Sequence, residues 1–141
     1  METVKGTVAL NWVSDKLMLG SDSRGQSITI GYDRIQEPNR MGIKPSDLLL
    51  LAAASCSTYD VISILEKQRE PLLGLEVSCT GEQITETPYT FVSVHIHYIV
   101  TGDVDPNKLE RAIQLSEEKY CSVLSTIKGT AKISSDFEIR K

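Results

Sequence analysis

The segment KPSDLLLLAAASCSTYDVISILEKQRE, residues 44–70, contains the longest apolar run in this chain of 141 residues. Its Leu and Ala content and the following Pro71 predict one long helix that begins near Ser46 or Asp47, where a polar side chain can cap the first turn. The run LLLLAAASCS has no polar face, which is typical of a helix packed on both sides. The segment also places Cys56 in the middle of this helix.

The composition is that of a soluble globular protein, with 40% hydrophobic residues, 24% charged residues and a net charge of −4. The basic residues are scattered, so we expect neither nucleic acid nor an anionic membrane as a partner. The N-terminal METVKGTVAL lacks the basic and apolar parts of a signal peptide, and the apolar run at residues 48–54 is too short to span a bilayer. We therefore expect one cytoplasmic domain that covers residues 1–141.

Alternating apolar residues predict six strands, and helical spacing predicts a second helix after the first. Asp105 is a candidate cap for this second helix, Pro106 suits its first position, and Gly129 is a candidate end. The predicted strands are residues 3–13, 17–19, 27–32, 75–79, 92–100 and 133–139. Because strands and helices do not alternate as βαβ units, the predicted fold class is α+β with mainly antiparallel sheets and a long buried central helix. A fully apolar helix in so small a chain also favours a dimer that shares its core.

Three cysteines, Cys56, Cys79 and Cys121, occur without CxxC or CxH spacing. An odd count without such motifs indicates neither a secreted disulfide framework nor a structural zinc site. A buried inert thiol is the simplest interpretation of each, because free cysteine packs as a small hydrophobe. Cys79 fits it best, since it shares a predicted strand face with Leu75 and Val77.

Cys56 and Cys121 allow a second interpretation, in which they meet and form a redox pair. Both lie on the apolar part of a predicted helix, and a disulfide requires Cα atoms roughly 4.4 to 6.8 Å apart. The attacking sulfur must be a thiolate, which calls for a nearby cation or a helix N-terminus. Arg24, in the turn DSRGQ, is the candidate cation, whereas Asp60, one helical turn from Cys56, would oppose ionisation unless it is paired.

Two sequence blocks carry a resemblance to a known family. GIKPSDLLLLAAASCSTYDVISIL and AIQLSEEKYCSVLSTI, whose cysteines are separated by 65 positions, resemble the OsmC/Ohr family of osmotically inducible and organic hydroperoxide resistance proteins. DVISILEKQRE, VHIHYIVTGDV and EKYCSV resemble its YhfA-type branch most. The resemblance implies an intertwined α+β homodimer with active sites at the subunit interface. It also implies a peroxidase of organic hydroperoxides that needs no metal or organic cofactor and is recycled by a thiol or dithiol such as a lipoyl protein.

The resemblance assigns roles to individual residues. Cys56 matches the peroxidatic cysteine of the family and Cys121 the resolving cysteine. Asp47 stands where the hydroperoxide reductases have a glutamate that helps to hold an active-site arginine, although it could instead cap the helix. Arg24 lies in the turn that corresponds to that arginine, with Arg34 and Arg40 as competing candidates.

Three functions are open at this stage. The first is a thiol-dependent peroxidase in which Cys56 attacks and Cys121 resolves. The second is an OsmC-like dimeric binding or redox-sensing protein with little peroxidase activity. The third is a thiol hydrolase that uses His95 or His97 as the base. These two histidines share a predicted strand face and could chelate a metal, but no third ligand is close in sequence, so no metal is expected.

Overall fold

The computed structural model describes residues 1–35 and 41–141 and confirms the α+β fold class. The chain divides into two compact units, residues 1–48 and residues 49–141. The elements in chain order are β1 (Ala9–Ser14), β2 (Leu17–Ser21), β3 (Ser27–Ile30), α1 (Pro45–Lys67), β4 (Gly74–Gln83), β5 (Phe91–Thr101), α2 (Pro106–Leu115), a π-helical turn (Ser116–Tyr120), α3 (Ser122–Ile127) and β6 (Lys132–Arg140).

The first unit contains a three-stranded antiparallel sheet in the order β1-β2-β3. The predicted first strand, residues 3–13, is shorter than expected and begins at Ala9, because its pairing with β2 ends where Ala9 meets Ser21, the last residue of β2. In the turn after β2, the Asp22 carboxylate accepts hydrogen bonds from the backbone N–H groups of Arg24 and Gln26. Pro, Asn and Gly in the segment DRIQEPNRMGIKP, residues 33–45, predict a loop, and residues 36–40 of this segment lie outside the described part of the chain.

The second unit contains a three-stranded sheet in the order β4-β5-β6. β4 pairs with β5 antiparallel, whereas β6 pairs with β5 in parallel, so the sheet is mixed. Side chains of a strand point alternately to its two faces, and β5 follows this rule strictly. Its four fully buried residues, which face the core, are Val94, Ile96, Tyr98 and Val100. His95 and His97 therefore lie on the opposite, solvated face.

The long helix predicted from residues 44–70 is present as α1, a helix of 23 residues. It begins at Pro45, before the predicted start at Ser46 or Asp47, because the first helical position needs no N–H donor and suits proline. Its buried residues recur every fourth position and form one stripe, Ala53, Ser57, Val61 and Leu65. The opposite face stays exposed in the single chain: 51% of Leu51 and 74% of Tyr59 is accessible to solvent.

By length and composition alone, α1 could also cross a membrane. The sequence argument considered only the apolar run at residues 48–54, which is too short to do so. Its buried stripe belongs to the hydrophobic core together with β5 and α2. The fully buried Ser57 in that stripe hydrogen-bonds to Tyr98 of the sheet. Packing of this kind is that of a core helix.

The second predicted helix is interrupted, and this corrects the position of Cys121. The Asp105 carboxylate caps α2 by accepting from the Asn107 N–H, and Pro106 is its first residue, as predicted. Cys121 follows the π-helical turn in an extended conformation, with φ −76° and ψ 109°, so it does not lie within a helix. Helical spacing from the buried Ser116 would place Tyr120 in the core, but a π-helical turn adds one residue and places Cys121 there.

Candidate functional site

The side chains of Cys56 and Cys121 are near enough for each to shift the pKa of the other, although they are 65 residues apart in sequence. Cys56 projects from the middle of α1 and is partly exposed, whereas Cys121 is 1% exposed. Both are free thiols. The Cys121 sulfur also accepts a hydrogen bond from the Leu124 N–H at 3.4 Å, which fixes its orientation at the start of α3.

The environment of Cys56 favours its thiolate. Burial raises the pKa of the Cys56 thiol, but the hydrogen bonds that its sulfur receives outweigh burial and leave the pKa below its usual value. The donors are the Val123 backbone N–H, the Cys121 thiol, and the Ser122 hydroxyl and backbone N–H. The Ser122 Oγ atom lies 3.9 Å from the Cys56 Sγ atom.

Cys121 is held in the opposite protonation state. The pKa of the Cys121 thiol is raised to about 11, chiefly by burial and also by its interaction with Cys56, whereas the Leu124 N–H lowers it. The more exposed sulfur is thus the stronger acid, and the buried sulfur keeps its proton at neutral pH. A thiolate next to a protonated thiol is the arrangement that can attack an electrophile and then close a disulfide.

A buried chain of hydroxyl groups lies next to this cysteine pair, and sequence reasoning missed it. The Tyr98 and Ser57 hydroxyls are 2.5 Å apart, and the Ser116 hydroxyl lies 3.1 Å from that of Ser57. The Ser116 hydroxyl also donates to the Asp60 carboxylate at 2.8 Å. The Ser116 hydroxyl is neutral, so this hydrogen bond does not supply the counter-charge that the sequence argument required for a carboxylate one turn from Cys56. The only sequence signal for this chain of hydroxyls is that Ser57 follows Ala53 by four residues, which places both on the same buried stripe of the helix.

Asp47 lies in the first turn of α1 and does not cap it, because the helix has already begun at Pro45. Its carboxylate is 3.9 Å from the ammonium of Lys44, and both side chains are more than half exposed. An ion pair so exposed contributes little to stability. The role of Asp47 in holding an arginine remains a prediction.

The three candidate arginines differ in their partners. Arg24 is exposed in the turn between β2 and β3, and its pairing with the Cys56 thiolate remains a prediction. Arg34 forms a salt bridge with Asp15, since its Nε and one terminal nitrogen lie 3.0 and 3.2 Å from the carboxylate oxygens. Arg40 lies outside the described residues.

His95 and His97 share a carboxylate that lies far from them in sequence. β6 places Asp136 beside them, with its Oδ1 atom 2.9 Å from His95 Nε2 and 2.7 Å from His97 Nδ1. In residues 1–35 and 41–141, no group of three His, Cys, Asp or Glu side chains is arranged to hold a metal ion. The histidines face away from Tyr98, whose hydroxyl contacts the residue next to Cys56, so the geometry does not favour a Cys–His hydrolase.

Comparisons with known proteins agree with this architecture. Residues 37–136 match the family model described as OsmC-like protein. Protein YhfA of Escherichia coli (strain K12) is 35% identical over 132 residues, which cover 92% of this chain and 95% of YhfA.

Two solved structures have the same fold. The OsmC-like protein from Mycoplasma pneumoniae aligns with a TM-score of 0.82 at 15% identity and covers 99% of this chain and 100% of its own. The organic hydroperoxide resistance protein OhrB of Bacillus subtilis aligns with a TM-score of 0.63 at 13% identity, over 96% of this chain and 98% of its own. At such identities the likeness concerns the fold alone. The family model and the similarity to YhfA show that this chain belongs to the OsmC-like protein family.

Proposed function

We propose that this protein is a thiol-dependent peroxidase that reduces organic hydroperoxides. The observation that carries the proposal is the contact between Cys56 and Cys121, in which the exposed sulfur has a lowered pKa and the buried sulfur a raised one. Membership of a family with structural neighbours named for organic hydroperoxide resistance supports it. Cys56 is then the peroxidatic residue and Cys121 the resolving residue.

The first chemical step joins sulfur to oxygen. The Cys56 thiolate attacks the terminal oxygen of a hydroperoxide ROOH, the S–O bond forms, and the O–O bond breaks. The alkoxide RO⁻ leaves and takes up a proton to give the alcohol, while Cys56 becomes a sulfenic acid. Two electrons pass from the sulfur to the peroxide in this step. A thiolate is required, and the hydrogen bonds to Cys56 favour that form.

The second step closes the disulfide, and a third reopens it. The Cys121 sulfur attacks the Cys56 sulfenic sulfur, the S–S bond forms, the S–O bond breaks, and the hydroxide leaves as water with the Cys121 proton. An external thiol pair, such as a lipoyl dithiol, then returns two electrons and two protons by thiol–disulfide exchange. Arg24, held in place by Asp47, supports the thiolate and orients the peroxide in this proposal.

The working form proposed here is a cytoplasmic homodimer, with residues 1–141 as one OsmC-like domain in each subunit. The exposed apolar face of α1 supports it, because soluble monomers rarely expose large contiguous apolar patches. Leu51, Tyr59 and Ile62 line a groove of about 370 Å³ on this face. A second copy of the chain that covered the groove would bury an apolar face of the helix in the assembly.

A turnover assay tests the peroxidase directly. The wild-type protein is expected to consume cumene hydroperoxide catalytically with dihydrolipoamide as reductant. Cys56→Ser should abolish consumption, because the attacking sulfur is lost, and Cys79→Ser is the matched control, since burial raises the pKa of that thiol and favours its inert form. Equal slow consumption by the wild type and Cys56→Ser would contradict the proposal.

The same groove on α1 favours a second candidate, a dimeric binding or redox-sensing protein with little peroxidase activity. Its lining is largely apolar, so a small apolar ligand would fit it. This candidate predicts saturable binding of a fluorescent apolar probe that does not depend on Cys56. The peroxidase proposal predicts instead that hydroperoxide consumption is lost in Cys56→Ser.

A further inference from the structure

We propose that Ser116 is a positioning residue that holds Cys121 in register with Cys56 and thereby sets the rate at which the disulfide closes. The inference rests on the proposed function, in which Cys121 resolves an oxidised Cys56. It concerns a residue that contacts neither sulfur. The inference is drawn from the contacts that Ser116 makes with α1 through its side chain and with Cys121 through its backbone.

In one direction, the Ser116 side chain is tied to α1. Its hydroxyl donates to the Asp60 carboxylate at 2.8 Å and lies 3.1 Å from the Ser57 hydroxyl. Ser57 directly follows Cys56 in the chain, and Asp60 lies one helical turn beyond it. These two contacts fix the height and rotation of the π-helical turn relative to the part of α1 that carries Cys56.

In the other direction, the Ser116 backbone is tied to Cys121. The Ser116 carbonyl accepts the Cys121 N–H at 2.8 Å, the hydrogen bond that closes the π-helical turn. The chain then leaves the helix, and the Cys121 sulfur receives the Leu124 N–H. One residue thus links the helix that carries the attacking sulfur to the backbone of the resolving cysteine.

Proton counting sets the direction at the Asp60 end of the chain. A hydroxyl carries one proton, and a carboxylate accepts it. The Ser116 proton is directed to the Asp60 Oδ2 atom at 2.8 Å, the shortest contact of this hydroxyl, compared with 3.1 Å to the Ser57 hydroxyl and 3.5 Å to the Ser57 carbonyl. Removal of the Ser116 hydroxyl interrupts this chain at its link to the carboxylate.

Burial makes these contacts hard to replace. Ser57 and Ser116 are both fully buried, so bulk water cannot restore a hydrogen bond that either of them loses. Ser116→Ala should therefore free the π-helical turn from α1 while the backbone bond to Cys121 remains. Cys121 would then sample positions from which its sulfur cannot reach the oxidised Cys56.

The experiment follows the two steps separately after one equivalent of cumene hydroperoxide is added to the reduced full-length protein. Dimedone trapping measures the Cys56 sulfenic acid, and non-reducing mass spectrometry measures the disulfide. Ser116→Ala should form sulfenic acid at the wild-type rate. Its disulfide should close about tenfold more slowly, as expected for the loss of one hydrogen bond to a charged group.

Three variants exclude a merely structural effect. Asp60→Asn keeps an oxygen acceptor for Ser116 and should retain fast closure, whereas Asp60→Ala should close as slowly as Ser116→Ala. Leu65→Val, two turns along α1 from Ser57, lowers stability without touching the hydroxyl chain and should close at the wild-type rate. Wild-type closure in Ser116→Ala, or equally slow closure in Leu65→Val, would overturn the inference.

A peroxide-free arm keeps this test separate from that of the proposed function. Oxidised glutathione forms a mixed disulfide with the Cys56 thiolate and releases one glutathione thiolate. Cys121 then displaces the second glutathione as the internal disulfide closes. Ser116→Ala should slow this closure by the same factor. If hydroperoxide fails to oxidise the wild type while glutathione shows the slow closure of Ser116→Ala, the proposed function fails and the role of Ser116 stands.

Discussion

The Ser122 hydroxyl lies 3.9 Å from the Cys56 sulfur. A proline at position 122 would supply neither a hydroxyl nor a backbone N–H. Ser122 supplies both, and both lower the pKa of Cys56. Ser122 therefore supplies two donors at the sulfur that we propose to be reactive.

Substitution of Ser122 should raise the pKa of Cys56 in steps. Ser122→Ala removes the hydroxyl, and Ser122→Pro removes the N–H as well, so the pKa should increase from wild type to Ala to Pro. The pH dependence of iodoacetamide alkylation of Cys56 measures this. Ser125→Ala, on the exposed side of α3, is the control, and an unchanged pKa in Ser122→Pro would contradict the assignment.

The acidity of Cys56 should also depend on Cys121. The Cys121 thiol donates to Cys56 and helps to lower its pKa, so Cys121→Ala should raise the pKa of Cys56. Alkylation of Cys56 in the wild type should increase with pH around a midpoint below pH 9, the usual thiol pKa, while Cys121 titrates only near 11. The same alkylation series on Cys121→Ala provides the comparison. A lower Cys56 pKa in this variant would mean that the two sulfurs repel rather than support each other.

The histidine pair predicts a pH dependence of stability. The Asp136 side chain raises the pKa of His97 and outweighs the opposing effect of burial, so the stabilisation is complete below the unfolded pKa of His97. It is lost as the pH rises through the raised folded pKa. Asp136→Asn should therefore reduce the free energy of unfolding more at about pH 5.5 than at about pH 8.5. Urea unfolding measures the difference, with Asp103→Asn as an exposed control, and equal losses at both pH values would refute the linkage.

The proposed dimer predicts a specific effect of charge on the exposed face of α1. Leu51→Glu places a carboxylate on that face and should shift the protein towards monomer in sedimentation equilibrium, because burying an unpaired charge is costly. Leu73→Glu is the control, since Leu73 is 80% exposed and lies outside the helix. Dimerisation of Leu51→Glu with wild-type affinity would place the interface elsewhere.

Sequence patterns predicted the elements of this fold because those patterns are local. The apolar segment that contains Cys56 gave α1, and the alternation around His95 and His97 gave β5. The start of β1 was misplaced because it depends on the length of its partner β2, which alternation in β1 does not encode.

The site was only partly predictable, because its geometry depends on contacts between distant residues. Resemblance singled out Cys56 and Cys121, but helical spacing placed Cys121 inside a helix. The π-helical turn that moves it out is tied to α1 through Ser116, and no periodicity in one segment reveals a hydrogen bond to another. Asp136 could not be predicted as the partner of the two histidines for the same reason, because the parallel register of β6 brings it beside them.

Peptide mapping after a single oxidation tests the central claim most directly. The reduced wild-type protein is treated with one equivalent of cumene hydroperoxide, alkylated, digested without reductant and analysed by mass spectrometry. The account predicts one internal disulfide that joins the peptides of Cys56 and Cys121, a matching yield of cumyl alcohol, and Cys79 still alkylated. Consumption of the hydroperoxide without that crosslink would contradict the account. The account would also be contradicted if all of the hydroperoxide remained while both thiols stayed free.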